Sequence, residues 1–395
     1  MPEVKQLKEL EKLEVAGQAT RYDFFIQWHL TERCNLRCRH CYQAVRDDAP
    51  AGPDLSLAEI GRVMTEISDA LGDWARNYRM DFSPSFNLTG GEPLLRADLF
   101  DIIAEAGRRG FEVFLLTNGT IITRQRARAL RDAGVRGVQV SIEGPEEVHD
   151  SIRGMGSFSQ AMWGVKNLLG AGLTVTLNAT LSGLNAGRMS EMVALALNMG
   201  VQRLGFSRLV PYGRGFGLIR EMLSARQVKG VYDGLLSLNA EGLGGNGLEI
   251  VTGDPLASQM KLPSQMKLSH HEAGGNATGG LATGGSATGG CTAAGGCAAG
   301  ISGFTILSDG TMTPCRRLPL PLGNVLADSI REVWATSTVL QALRDKGRYS
   351  GRCGACRRWA DCRGCRAIAY AYSAASNGGR GDFLSEDPQC FIEPE

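Results

Sequence analysis

The sequence predicts an α/β protein: a partial (β/α)6 barrel of the TIM-like kind, followed by a cysteine-rich module. Two observations predict it. From about Tyr22 to Asp254 short apolar runs alternate with helical patterns, and strands separated by helices imply right-handed crossovers and a parallel sheet. The eleven cysteines fall in two groups, Cys34 to Cys41 and Cys291 to Cys390, with none between Tyr42 and Gly290.

The elements follow in order. "DFFIQWHL" reads as a strand ending just before Cys34. Ser56 with Glu59 in "LSLAEI" forms a capping box that opens a helix running to about Arg76. The strand "SFNLTGGEP", a helix near Leu99 to Arg108, the strand "FEVFLLTNG" and a helix near Arg124 to Ala133 come next. "GVQVSIEG", a helix near Ser159 to Leu169, "LTVTLNATL", a helix near Gly187 to Met199 and "QRLGFSRLV" complete the series. About six β/α units result, fewer than the eight of a closed barrel.

The composition then changes. Gly274 to Thr288 repeats "GGNAT GGLAT GGSAT", which offers nothing to pack and reads as a flexible insert, a tolerated loop rather than a flap. The expected division is residues 1–21 as an N-terminal extension, 22–254 as the barrel, 255–290 as the insert and 291–395 as the cysteine-rich module.

Length and charge exclude several classes. At 395 residues the chain can bury a large core, and a net charge of +1 without long basic or acidic runs gives no nucleic-acid footprint. The charged start lacks an apolar signal core, and no segment is apolar enough to span a bilayer. The expectation is a soluble cytoplasmic protein with no membrane partner. Thiols there stay reduced, so cysteines gathered in clusters point to metal or catalysis rather than disulfides.

Cys34, Cys38 and Cys41 are spaced C-x3-C-x2-C in a loop at the carboxyl end of the first strand, where parallel α/β folds place their active sites. Three thiolates wrap one face of a [4Fe-4S] cube, whereas an electron-transfer cluster normally takes four. The remaining iron is then open to a substrate or cofactor, by the logic that separates catalytic from structural zinc. Zinc on these thiolates plus His40 is the alternative metal.

This segment, with further pieces in matching places from about Phe24 to Val210, resembles the radical SAM superfamily. The resemblance implies that the cysteines hold a cluster chelating S-adenosylmethionine, which one electron cleaves to a 5'-deoxyadenosyl radical that abstracts hydrogen. Gly90, Gly91 and Glu92 in "TGGEP" match the motif that holds the methionine amino group; glycine allows close approach and a carboxylate complements an ammonium. Asn118 closes the third strand. Ser141 and Arg153 match positions that grip the methionine carboxylate, which suits an Arg fork, and His40 takes the place of an aromatic beside the adenine. A low-potential electron donor such as ferredoxin or flavodoxin is implied.

The carboxyl-terminal cysteines are similar to the SPASM extension, which carries two auxiliary [4Fe-4S] clusters. The pattern departs between Cys362 and Cys365, where two residues intervene instead of the usual three. The resemblance implies Cys291, Cys297, Cys315 and Cys365 on the nearer cluster, and Cys353, Cys356, Cys362 and Cys390 on the farther one. A zinc knuckle also fits C-x2-C-x5-C-x2-C alone. With the first three cysteines, the eleven thiols divide among three clusters without remainder.

Hydrogen abstraction needs no protein base, so motifs say less about the substrate. Sulfatase-maturating relatives carry an aspartate after the cysteine matching Cys315, where this chain has Arg316 and Arg317. Peptide-maturing relatives often carry an additional amino-terminal recognition domain, and only about thirty residues precede Cys34. "GCAAGISG", "SDGTMTPCRRLPLPLGN" and "CRGCRAIAYA" resemble enzymes that oxidatively trim propionates in haem biosynthesis. The first expectation is a peptide or protein maturase, because most SPASM-bearing relatives act on peptides. A tetrapyrrole-modifying enzyme is the alternative, and a non-catalytic iron-sulfur carrier is disfavoured because the strand-end residues would have no cofactor to bind.

Overall fold

The computed structural model describes residues 21–43, 53–240, 248–260 and 296–393. All of the expected N-terminal extension except Arg21, which opens the first strand, lies outside them, as do most of the Gly-rich insert and Cys291.

The barrel strands are β1 (Arg21–His29), β2 (Asp81–Thr89), β3 (Glu112–Thr117), β4 (Gly137–Ser141), β5 (Val175–Leu181), β6 (Arg203–Arg208) and β7 (Glu249–Thr252). They lie side by side in chain order and every neighbouring pair is parallel. The six expected β/α units are present, and the short β7 adds a seventh strand. The crossovers are α1 (Leu57–Tyr78), α2 (Leu99–Arg108), α3 (Arg124–Asp132), α4 (Glu146–Arg153), α5 (Ser157–Gly170), α6 (Met189–Met199) and α7 (Ala225–Ala240).

Local chemistry sets the helix ends. The Ser56 side chain accepts from Glu59 N while Ser56 N donates to Glu59 Oε2 at 2.8 Å, so both ends of the capping box are made. Arg79 stops α1 in the left-handed conformation, φ 51°.

β1 shows how the sheet divides its faces. Phe24, Ile26 and Trp28 are buried in one apolar core with Ile60, Val63, Met64 and Ile67 of α1. Gln27 and His29 alternate with them and are also buried; in register beside them stand Asn87 and Thr89 of β2. Residues opposite one another on adjacent strands share a face. The outer face is therefore apolar under the helices, and the inner one polar, toward the barrel axis.

The cysteine-rich region continues this sheet. β8 (Gly303–Ile306) pairs in parallel with β1, and β9 (Thr311–Thr313) and β10 (Gly323–Asn324) follow antiparallel at the edge. A Cβ on Gly303 would stand 1.9 Å from the Phe25 carbonyl oxygen, so only glycine permits that approach. Phe24 clamps the join, with its ring centroid 5.4 Å from Trp334, 5.8 Å from Trp74 and 6.2 Å from Phe304. Beyond the edge come the short helices α8 (Ile330–Thr336), α9 (Thr338–Arg344), α10 (Gly351–Ala355) and α11 (Arg366–Ser376). Among the described residues, no helix is long and apolar enough to cross a membrane.

Candidate functional site

The loop after β1 crosses the carboxyl ends of the strands and is fastened along its length. Gly91 N donates to Thr31 O at 2.7 Å and Glu92 N to Arg33 O at 2.8 Å. Arg39 N donates to Ile152 O at 2.8 Å, and Arg214 Nε to Cys38 O at 3.0 Å. A Cβ on Gly91 would lie 2.2 Å from Arg33 O, and one on Gly90, at φ 133°, 2.4 Å from Thr31 O. The two glycines thus let the end of β2 lie directly against the cysteine loop.

Cys34, Cys38 and Cys41 all face one open cleft of about 1580 Å³ at the carboxyl ends of the strands. Burial pushes the Cys34 and Cys38 thiols up, with the Arg153 charge opposing it at Cys38. Metal ligation needs thiolates, and Arg153 Nη1, 3.7 Å from Cys38 Sγ, favours that form. Among the described residues no three His, Cys, Asp or Glu side chains close around a single metal-sized point; the thiols border a space instead.

Gly90, Gly91 and Asn118 line the same cleft, as do His40, Ser141 and Arg153. Asn118 Nδ2 donates to Asn35 Oδ1 at 2.9 Å and stands 4.0 Å from Cys34 Sγ, so it braces the cysteine loop. Glu92 is placed differently. It is fully buried, and its carboxylate accepts from Thr117 Oγ1 at 2.8 Å, Asn118 N at 2.9 Å and Leu94 N at 3.2 Å. Burial pushes its pKa up against those three bonds. From there it ties the ends of β2 and β3 together beneath the cleft floor.

Arg153 and His40 converge on a residue the motifs did not single out. Glu143, fully buried, accepts from Arg153 Nε at 2.8 Å and Nη2 at 2.6 Å, and lies 3.2 Å from His40 Nε2. Thr180 N donates to its other oxygen at 2.8 Å. Burial alone would raise its pKa, but Arg153 and His40 together bring it well below the usual carboxylate range. Its place in "VSIEG", two residues after Ser141, was the available signal.

The second group of cysteines is split by the fold. Cys353, Cys356, Cys362 and Cys390 line one cavity. Cys365 lies instead in a small apolar cluster against Cys315, and Cys297 N donates to Cys362 O at 2.9 Å. Burial pushes both Cys362 and Cys365 up to about 12. The four thiols around that cavity are the donor set that soft iron-sulfur clusters select.

A buried strut joins this region to the barrel. Arg208, at the end of β6, is paired with Asp254 and Asp387; its Nη2 reaches Asp387 Oδ2 at 2.8 Å and its Nη1 reaches Gln389 Oε1 at 2.9 Å. The same Asp387 oxygen accepts from Cys365 N at 2.8 Å. Arg208 faces the cleft, as do Arg316 and Arg317, which project into it from beyond Cys315.

A parallel partial barrel with an open three-thiol loop at its strand ends, joined to a thiol-rich extension, defines a class of iron-sulfur enzymes. The radical SAM superfamily matches residues 28–196 and the SPASM iron-sulfur cluster-binding domain residues 297–366. The AdoMet-dependent heme synthase of Methanosarcina barkeri is 31% identical over 93% of this chain and 96% of its own. The PqqA peptide cyclase of Methylocella silvestris is 29% identical over 93% and 87%. Among solved structures, native anSMEcpe with bound AdoMet superposes with a TM-score of 0.66 over 93% and 94% of the two chains at 18% identity, a likeness of fold. The chain belongs to the radical SAM superfamily, in its SPASM-bearing branch, and is an enzyme that binds iron-sulfur clusters and S-adenosylmethionine.

Proposed function

We propose that the protein oxidatively modifies the propionate side chains of a tetrapyrrole. The observation that carries this is the pair Arg316 and Arg317, which face the same cleft as Cys34, Cys38 and Cys41. Guanidinium forks suit carboxylates, and a substrate with several carboxylates can engage two adjacent guanidinium groups. The heme synthase relative, which matches nearly end to end, supports the same choice.

In this reading Cys34, Cys38 and Cys41 hold one [4Fe-4S] cluster. Cys353, Cys356, Cys362 and Cys390 would hold a second, and Cys297, Cys315 and Cys365 with Cys291 a third; the cavity shared by the first four, and the placement of Cys365 with Cys315 in a separate cluster, support the grouping. When bound, the first cluster and S-adenosylmethionine supply a 5'-deoxyadenosyl radical that takes hydrogen from the substrate. The chain's own residues bind and orient. Ser141 and the Nη1 edge of Arg153 would bind the methionine carboxylate, with Glu143 holding the Nε and Nη2 of that guanidinium. Backbone at Gly90 and Gly91 borders the amino end, Glu92 supports it from beneath, Asn118 steadies the cysteine loop, and His40 lies beside the adenine. The thiols of the carboxyl-terminal region would hold fully ligated auxiliary clusters, which would supply electron transfer, and ferredoxin or flavodoxin would be the external donor. Residues 22–254 and 291–395 then act as one catalytic body in the cytoplasm.

The test is an anaerobic optical titration of the reconstituted enzyme, with S-adenosylmethionine present, against an iron porphyrin bearing propionates. Saturable binding at about micromolar concentration, with loss of propionate mass after reduction, is expected. Absence of specific binding sinks the tetrapyrrole reading. A peptide substrate is the second reading, favoured by the peptide-cyclase relative of similar identity and coverage.

A further inference from the structure

One buried group inside the barrel has no role in the site as described. His29 ends β1 and is 5% exposed. Its register partner Thr89 lines the cleft, and partners on adjacent strands share a face, so His29 also faces the barrel interior. Its Nδ1 is 2.9 Å from the Gln43 side-chain nitrogen. With the amide placed as donor, Nδ1 accepts and the ring proton sits on Nε2. Nε2 is buried, and among the described residues it has no hydrogen-bond partner. A buried N–H left unpaired costs about 1–3 kcal/mol, a cost that a ligand acceptor removes.

The surroundings say what kind of acceptor. The two side chains beside the imidazole, Gln43 and Tyr42, the latter with its ring 6.2 Å away, both line the cleft, and so does Arg316. Burial, and then the Arg316 charge, hold His29 down to about 3, so it is a neutral N–H donor at working pH. A neutral donor beside a guanidinium matches an anion that takes hydrogen bonds from both.

We propose that His29 Nε2–H and Arg316 form a carboxylate subsite in the upper barrel, with Gln43 fixing the imidazole tautomer that donates. The proposal rests on the reading above, under which the carboxylate is a tetrapyrrole propionate. The subsite orients one side arm beside the cysteine loop, and the neutral donor binds it without a proton to give away.

The test compares an iron porphyrin bearing propionates with its methyl ester, by anaerobic optical titration with S-adenosylmethionine present, in the wild type, His29→Phe and Arg316→Met. The wild type is expected to bind the acid roughly tenfold more tightly than the ester, the usual scale of a hydrogen bond to a charged group. His29→Phe keeps the ring and loses the donor. It should bring the two ligands within about twofold while leaving S-adenosylmethionine binding and far-ultraviolet dichroism unchanged. Arg316→Met, in the open cleft, should narrow the ratio likewise and keeps the test decisive if His29→Phe does not fold. Wild-type ratios in the folded variants overturn the subsite and leave the tetrapyrrole reading standing. A wild type that binds neither ligand overturns both.

Discussion

Arg153 and Glu143 form a buried pair whose cation also touches the cysteine loop: two guanidinium nitrogens donate to one carboxylate oxygen at 2.6 and 2.8 Å, while a third lies 3.7 Å from Cys38 Sγ. Neither residue belongs to the loop, yet the pair decides where a positive charge stands beside it. Replacing Glu143 with Gln should cost about 3–5 kcal/mol of stability, the scale for stranding one partner of a buried pair. It should also weaken S-adenosylmethionine binding. Denaturant unfolding and equilibrium binding measure the two effects, and an unchanged midpoint would show that Arg153 finds another partner.

The same carboxylate predicts a pH dependence. Because the folded-state pKa of Glu143 lies below the ordinary value, its contribution is complete above the unfolded pKa of about 4.3. It is lost progressively as pH falls through and below that value toward the folded one. The wild type should therefore lose stability on acidification more steeply than Glu143→Gln below about pH 4.5. Parallel curves for the two proteins would contradict the assignment.

Gly91 and Gly107 should respond to alanine in opposite directions. At Gly91 a methyl meets Arg33 O at 2.2 Å, while at Gly107 in α2 it meets nothing within 4 Å. Gly107→Ala should stabilise by roughly 0.5–1 kcal/mol through helix propensity and a less free unfolded chain. Gly91→Ala should displace the cysteine loop and lower iron retention at the first site. Thermal melts and iron analysis on both variants check this.

Replacing Cys34, Cys38 and Cys41 together with Ala should abolish reductive cleavage of S-adenosylmethionine while iron in the carboxyl-terminal region remains. Replacing Cys353 and Cys356 should instead remove iron from the cavity they share with Cys362 and Cys390, leaving reductive cleavage measurable. Iron and sulfide content with product chromatography distinguishes the two. Persistent cleavage in the triple variant would refute the first-cluster assignment.

Asp387→Asn should unsettle both halves of the molecule at once, because its carboxylate binds Arg208 of the barrel and the backbone N–H of Cys365. Loss of up to about 3–5 kcal/mol is expected, with Asp254 still facing Arg208. A changed electron paramagnetic resonance signal from the auxiliary site should accompany it. A stability loss without that spectral change would confine the strut to a structural role.

Much of this architecture was written locally. The Ser56–Glu59 capping box, the bounds of α2 and the strand-end position of Cys34 to Cys41 all follow from neighbours in sequence, where periodicity and capping act over a few residues. Three barrel elements escaped: α4, within "EEVHDSIR", is eight residues long and β7 has four, too little length for a period to declare itself, and the sixteen-residue α7 was not singled out. β8 escaped for another reason. Its four residues become a barrel strand only because β1, far away in the chain, offers an unpaired edge.

The sequence by itself determined the chemistry available, since thiol spacing and strand-end motifs are properties of adjacent residues. Only the tertiary structure decided which groups meet. Folding the sheet placed Glu143 under Arg153 and His40, set the Arg208–Asp387 strut between barrel and thiol-rich extension, and left His29 facing inward with one nitrogen that has no hydrogen-bond partner among the described residues. Each depends on strand register and burial, and those arise from contacts between residues distant in the chain, where a charge or an N–H acquires its energetic weight only once water is excluded.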